Sequence, residues 1–205
     1  MRLGKLELNC PAQSLKGQKQ IWLTFDDGPG PDTLEIIKIL NAFNFPATFF
    51  FIGEQVESFP DIDELRNLSR IGNHSVANHS FSHPNFLKLT EREIKTELVR
   101  TQDLLAQAFP ETCVPLFRPP FGYRNSATLS QALNLGLGVI GWSLNSLDFL
   151  AGKPERVCQR IEKQVRAGTI LLFHDGRHSR ERTVCALSRV LNWLTDNDYE
   201  GFHPK

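Results

Sequence analysis

The sequence predicts an α/β fold built on a mainly parallel sheet. Short β-branched or aromatic runs alternate with amphipathic helical patterns along the 205 residues. One of those runs, 47–52 (ATFFFI), is wholly apolar, as expected of a strand covered on both faces. Capping patterns stand at the starts of helical stretches rather than inside them.

The elements follow in order. Residues 20–25 (QIWLTF) predict a strand. Asp32-x-x-Glu35 resembles a helix N-terminus, after which Ile36, Ile37, Leu40 and Phe43 keep helical spacing. Residues 47–52 and 73–78 predict the second and third strands. Thr90-x-x-Glu93 is a second capping box, and Ile94, Leu98, Leu105 and Phe109 mark one face of a long helix that Pro110 stops. Further strands are expected near 114–117, 137–142 and 169–173, with a last short one within 198–202. Further helices are expected near 126–135, 154–167 and 181–195. Periodicity alone leaves an open doubly wound sheet and a closed barrel both standing. In either, reactive groups gather where strands end at the carboxyl edge of the sheet.

Composition narrows the function classes. Apolar content of 40% and charged content of 22% are ordinary for a globular protein, and 23 basic residues balance 23 acidic ones. That balance makes no electrostatic case for nucleic acid or an anionic membrane as partner. No apolar run approaches the roughly 20 residues needed to span a bilayer. Residues 1–17 carry no apolar stretch of signal-peptide length and are expected to form a short extension before a single domain over 18–205. As it stands the chain is expected in the cytoplasm, or in the cell envelope if an export segment precedes it. Cys10, Cys113, Cys158 and Cys185 form no CxxC pair, so they read as reduced, packed thiols.

Five polar clusters each follow a predicted strand. The first is Thr24-Phe25-Asp26-Asp27-Gly28-Pro29-Gly30. Two adjacent carboxylates at the close of an apolar strand repel unless a cation relieves them. A metal held by one would leave the other as a general base; the bland alternative is a turn, since DDGPG is rich in turn formers. The second is His79-Ser80-Phe81-Ser82-His83-Pro84. Its two histidines, at i and i+4, are expected on one face of a helical turn, able to share one ion. Two histidines and one carboxylate leave positions open for water and substrate, as a catalytic site needs. His74 faces away from His79 on an extended strand and reads as a packed residue.

The third cluster, Arg118-Pro119-Pro120-Phe121-Gly122, puts an arginine on a loop stiffened by prolines, where it could hold a carboxylate by a bidentate contact. The fourth is Asn145-Ser146-Leu147-Asp148-Phe149. The fifth is Leu171-Leu172-Phe173-His174-Asp175, whose histidine closes a strand and suits a general acid. Each signal is modest alone; their common placement after strands is what points to a site.

TFDDGPG, HSFSHP, RPPFG, SLDF and LLFHD resemble, in order, the five motifs of the polysaccharide deacetylase family, also called the NodB-homology domain or carbohydrate esterase family 4. The likeness runs from about residue 20 to about 200. It implies a deformed (β/α) barrel of about seven mainly parallel strands surrounded by helices, with a groove for a sugar chain. It implies a divalent metal, most often Zn with Co, Ni or Fe as alternatives, at the positions of Asp27, His79 and His83. Asp26 matches the general base and His174 the general acid. Arg118 matches the arginine that orients the base, and Asp148 the acid that supports this network. Phe121 matches the donor of an oxyanion-hole N–H, Leu172 the lining of the acetyl pocket and Phe149 an apolar wall.

Three positions depart from the usual pattern: Phe121 replaces a frequent Tyr, Phe149 a frequent Trp, and Asn145 a frequent Asp. None of the three is itself an expected metal ligand, base or acid. The expected function is removal of N-acetyl groups from N-acetylglucosamine-containing glycans of the chitin-oligosaccharide or peptidoglycan type, by a monomer. The alternatives are a catalytically silent glycan-binding relative and a deacetylase of another acyl substrate, acetyl-xylan or a small amide. A non-haem iron oxygenase also uses two histidines and a carboxylate, but its ligand order is HxD before a distant His.

Overall fold

The structure, a computed structural model, describes residues 10–14, 17–150, 152–177, 180–202 and 204. Strand β1 (Lys19–Asp26) leads through α1 (Thr33–Ala42) to β2 (Ala47–Phe51), and through α2 (Gly53–Ser58) and α3 (Ile62–Ile71) to β3 (Ser75–Asn78). Helix α4 (Glu91–Ala108), β4 (Cys113–Phe117), α5 (Ser126–Asn134), β5 (Gly138–Val139) and β6 (Leu144–Asn145) follow. The chain closes with α6 (Pro154–Gln164), β7 (Thr169–His174), α7 (Glu181–Asp196) and β8 (Tyr199–Gly201). The sheet order is β5-β4-β3-β2-β1-β7-β6, with β8 on β1, and every pairing among these strands is parallel; an isolated antiparallel bridge joins Gln13 to Lys19.

The pleat of β1 sorts its side chains between two environments. Ile21, Leu23 and Phe25 face outward and are fully buried under the helices with Ile36, Leu40, Leu187 and Leu191. Phe25 stacks between its register partners Phe49 and Phe173, with ring centroids 5.0 and 5.4 Å away. Burying each such ring stabilises the fold by about 1.5–3 kcal/mol. Trp22, Thr24 and Asp26 face the concave side, where Trp22 packs with Phe50, Ala77, Leu116, Ile140, Ile170 and Cys10. The Trp22 Nε1–H donates to Thr48 Oγ1 at 2.8 Å, and Phe202 meets the indole edge-on. Burial pushes the Cys10 thiol up to about 12. The lower half of the concavity is therefore filled, and the cleft opens at the carboxyl end of the strands.

The seven strands curl into a half-barrel with helices around it. Of the strand expected over 137–142 only Gly138–Val139 forms, pairing with β4; Leu144–Asn145, beyond that range, is a separate strand that pairs with β7 at the opposite edge of the sheet. Ile140 N still donates to Phe117 O, and Ser143 N to Ile170 O. Four residues, 140–143, span the opening, which limits it to roughly 19 Å from Val139 to Leu144 at 3.8 Å per Cα step. The expected strand runs too far because Ile140 is still buried in the core, so side-chain polarity does not mark where pairing with β4 stops.

Thr90 and Glu93 form the expected capping box at α4. Asp32 precedes α1, but its side chain makes no cap bond there; its Oδ2 accepts instead from the backbone N–H of Arg180. His74 is fully buried away from the cleft, its Nδ1 accepting from Ala47 N at 3.1 Å and its Nε2 against Asn41 Oδ1 at 2.8 Å. Among the described residues, no helix is long and apolar enough to cross a membrane.

Candidate active site

Strand alternation would send Asp26 and Asp27 to opposite faces. Asp26 ends β1 facing inward, and Asp27 has a left-handed φ of 75°, which breaks the alternation and brings both carboxylates to one cleft. The turn behind them is tightly held. Ile52 N donates to Gly28 O at 2.7 Å, Gly30 N to Thr33 Oγ1 at 2.7 Å, and Thr33 Oγ1 to Asp175 Oδ2 at 2.6 Å. Gly176 packs so closely that a Cβ there would lie 1.9 Å from Asp27 O. Asp175 is wholly buried with Oδ1 unpartnered, and burial pushes its pKa up to about 8.

Asp26 is ion-paired with Arg118, Nη1 to Oδ1 at 2.7 Å. The contact is single rather than the bidentate one expected from sequence. The same Nη1 also donates to Thr24 Oγ1 at 2.8 Å, and Nη2 donates to Gly141 O at 2.7 Å. Arg118 is fully buried beneath the cleft with its guanidinium over the Phe50 ring, 4.2 Å from the centroid. Burial lowers its pKa, and the Asp26 carboxylate opposes that shift. The arginine thus fixes the direction of Asp26 from below and leaves Oδ2 facing His79 Nε2 at 3.8 Å.

The two histidines converge without a helical turn. Residues 79–83 form an irregular loop, with left-handed φ at Ser80 (69°) and His83 (57°). The spacing alone does not show this, because both conformations can bring i and i+4 together; here the ring centroids are 5.1 Å apart. Asp27 Oδ1 lies 3.0 Å from His83 Nε2 and 3.5 Å from His79 Nε2. One ligand atom from each residue lies within 4.8 Å of the others. Tetrahedral bonds of about 2.0–2.1 Å place ligands roughly 3.3 Å apart, so these residues fit a divalent metal.

The surroundings agree with that reading. His79 Nδ1 sits 2.7 Å from Arg118 O; a carbonyl only accepts, so Nδ1 carries the proton and Nε2 is left to ligate. Arg177 Nη1 stands 2.6 Å from His83 Nδ1, and ligation through Nε2 requires this exposed arginine to turn aside. Burial would raise the Asp27 pKa, but hydrogen bonds from His79 and His83 outweigh it and hold the carboxyl far below the usual range.

Across the cleft, Asp26 and His174 are register partners on β1 and β7. His174 Nδ1 meets Asp148 Oδ1 at 2.8 Å. Burial would lower the histidine's pKa, but Asp148 outweighs burial and raises it. Asp148 is buried and fully engaged, its Oδ2 accepting from His174 N and Thr183 Oγ1 at 2.8 Å each. Its own pKa is lowered, because these bonds overcome burial.

Asp26, Asp27, His79, His83, Phe121, Leu172, Phe149 and His174 line one cleft of about 510 Å³; Arg118 and Asp148 support it from outside the lining. Phe121 has φ 59°, and its ring meets His83 edge-on at 4.6 Å. Phe149 packs edge-on against His174 at 5.1 Å. Trp142, Asn145 and Arg180 complete the wall. Arg180 was not foreseen. Its Nη2 lies 3.6 Å from Asp27 Oδ2, on the side away from the histidines, and its Nε is held by Gly176 O at 3.0 Å. The run RHSRER after the fifth motif was its sole trace in the sequence.

Comparison with known proteins agrees with the geometry. Residues 14–140 match the family model described as polysaccharide deacetylase. The chain is 31% identical to a chitooligosaccharide deacetylase of Sinorhizobium fredii over 203 residues, covering 94% of this chain and 93% of that one. It is 30% identical to a peptidoglycan-N-acetylglucosamine deacetylase of Bacillus cereus, covering 89% and 84%. The structure is similar to that of a family 4 carbohydrate esterase from Streptomyces lividans in complex with acetate, with a TM-score of 0.80 at 28% identity over 89% of this chain and 91% of that one. The chain belongs to the polysaccharide deacetylase family.

Proposed function

We propose that the protein is a zinc-dependent N-deacetylase of N-acetylglucosamine-containing glycans. The observation that carries this is the arrangement of one cleft: an Asp-His-His metal triad beside a carboxylate oriented by Arg118 and a histidine whose pKa Asp148 raises. The mixed nitrogen and oxygen donor set suits zinc. Named relatives acting on chitooligosaccharide and on peptidoglycan N-acetylglucosamine support the substrate class.

Asp27, His79 and His83 would hold the ion, which supplies Lewis acidity toward water and the acetamide carbonyl. Asp26 removes the proton from the attacking water, with its orientation set by Arg118 below. The backbone N–H of Phe121 donates to the oxygen that gains charge; one such donor is typically worth about 3 kcal/mol. Leu172 and Phe149 exclude water around the acetyl group. His174, whose affinity for a proton the Asp148 pair raises, gives that proton to the leaving nitrogen as the carbon–nitrogen bond breaks. Acetate and a free amino sugar result.

The test is acetate release from N-acetylglucosamine oligomers by protein supplied with zinc, against a chelator control and Asp26→Asn. Release that both controls abolish is expected. If zinc binds but no oligomer yields acetate, the protein is a silent glycan binder or acts on another acyl group, and acetyl-xylan is the next substrate to assay.

A further inference from the structure

The loop 79–83 carries two of the three proposed metal ligands, yet its backbone bonds are largely made from outside the cleft. Ser80 O and Phe81 O accept from Gly53 N and Glu54 N, the first amides of α2, at 3.0 Å each. In the other direction, Phe81 N and Ser82 N both donate to Glu97 Oε2, at 2.8 and 2.9 Å, and the Ser82 hydroxyl donates to Glu97 Oε1 at 2.8 Å. Glu97 lies on α4 and is no part of the cleft wall. One turn further on, the Arg100 guanidinium covers the Phe81 ring at 3.4 Å. Gly53 leaves room for that ring, since a Cβ there would lie 2.4 Å from it.

These contacts matter because the loop is held in an unfavourable shape. Ser80 and His83 both occupy the left-handed region without being glycine. A free segment of this sequence would relax toward ordinary φ values, and His83 would swing away from His79. Of the three amides between the histidines, Glu97 takes up those of Phe81 and Ser82, while Ser80 N donates to Asn78 Oδ1, and Glu97 so holds the pair at ligating separation.

We propose that Glu97 is a positioning residue that sets the metal affinity of the His79–His83 pair. This rests on the reading of Asp27, His79 and His83 as metal ligands. It differs from a purely electrostatic role, in which any anion on α4 would serve, and from a purely structural one, in which Glu97 only steadies the helix.

The experiment is zinc affinity of the whole chain by competition with a chromogenic chelator, with the melting temperature of the chelator-treated protein measured in parallel. Outer-sphere partners of metal ligands typically control affinity by 10–100-fold. Glu97→Ala is expected to lose about that much while melting nearly as the unaltered protein does. Glu97→Asp keeps the charge but withdraws it by one methylene, and is expected to lose affinity similarly. Glu97→Gln keeps one oxygen for the two amides and offers an N–H to the Ser82 hydroxyl, so it should stay within about threefold. Thr90→Ala weakens the same helix at its cap without touching the loop and should leave affinity unchanged.

The proposal is overturned if Glu97→Ala binds zinc as tightly as the unaltered chain, if Glu97→Gln is as weak as Glu97→Ala, or if Thr90→Ala weakens binding equally. Failure of the unaltered chain to take up zinc would instead sink the metal reading itself, and this inference with it.

Discussion

Asp148 grips His174 twice, with Oδ1 2.8 Å from the ring Nδ1 and Oδ2 2.8 Å from the backbone N. The first contact raises the histidine's pKa, and the second fixes where the ring stands. Asp148→Asn keeps the size of the group but removes its charge. The acid form of His174 is then lost at lower pH, so the alkaline limb of the rate–pH profile should move downward. A fall in kcat of about 10²-fold or more is expected, larger at pH 8 than at pH 6. An unmoved limb would take the acid role from His174.

Metal binding should be visible in stability before any substrate is found. Zinc at a hundred times its Kd stabilises a folded protein by about 2.7 kcal/mol, or roughly 5–10 °C for a chain of this size. A chelator should reverse the rise, and His83→Ala should abolish it. Scanning calorimetry with and without zinc makes the comparison.

Gly176 has no room for a side chain: a Cβ would lie 1.9 Å from Asp27 O and 2.4 Å from Gly28 Cα. Gly176→Ala must push the Asp27 turn aside. A loss of about 1–3 kcal/mol of stability is expected, together with weakened zinc binding, because the displaced residue is a proposed ligand. Denaturant titration and chelator competition on the same variant separate the two effects.

Asp175 has a folded pKa of about 8, above the roughly 3.9 of an unfolded aspartate. The folded state therefore favours the neutral acid. Its contribution is fully present below about pH 4 and is lost as pH rises through about 8. Asp175→Asn resembles the neutral form at every pH. The variant's melting temperature should gain on that of the unaltered protein between pH 5 and pH 8. A constant difference across that range would show that Asp175 stays ionised.

Much of this arrangement is written in the sequence, and the gaps have physical causes. The strand ends that carry Asp26, Asp27 and His174 are legible because an apolar run stops abruptly at polar residues. The HxxxH spacing gives the pair but not the backbone between, since the left-handed turns at Ser80 and His83 leave no pattern in side-chain polarity. Helix α2 is too short to show a period, and α3 fully buries only Leu65 and Ser69, with Ile62 and Leu68 partly covered. The pairing of Arg118 with Asp26 shows in the sequence only through the family resemblance, because the ends of β4 and β1 meet only once both strands share a sheet. Glu97 reads as one more charge on an amphipathic helix, because its partners are backbone amides and no code marks those.

The position of β1 in the sheet bears on how the protein is made. It is the first strand in the described chain, yet it lies between β2 and β7, and β8 also pairs with it. During synthesis β2 can dock early, but on the other edge of β1, beyond the start that residues 12–13 meet, Ile21–Asp26 lacks its partner among the described residues until residues 169–174 leave the ribosome. For that interval a long apolar strand stands with unpaired amides and carbonyls, the kind of edge that recruits other chains. The same delay keeps Asp26 and His174 apart, so the nascent chain can bring Asp27, His79 and His83 together well before it acquires the proposed acid, His174. Slow elongation or truncation within the last third should therefore yield aggregates rather than a partly active enzyme.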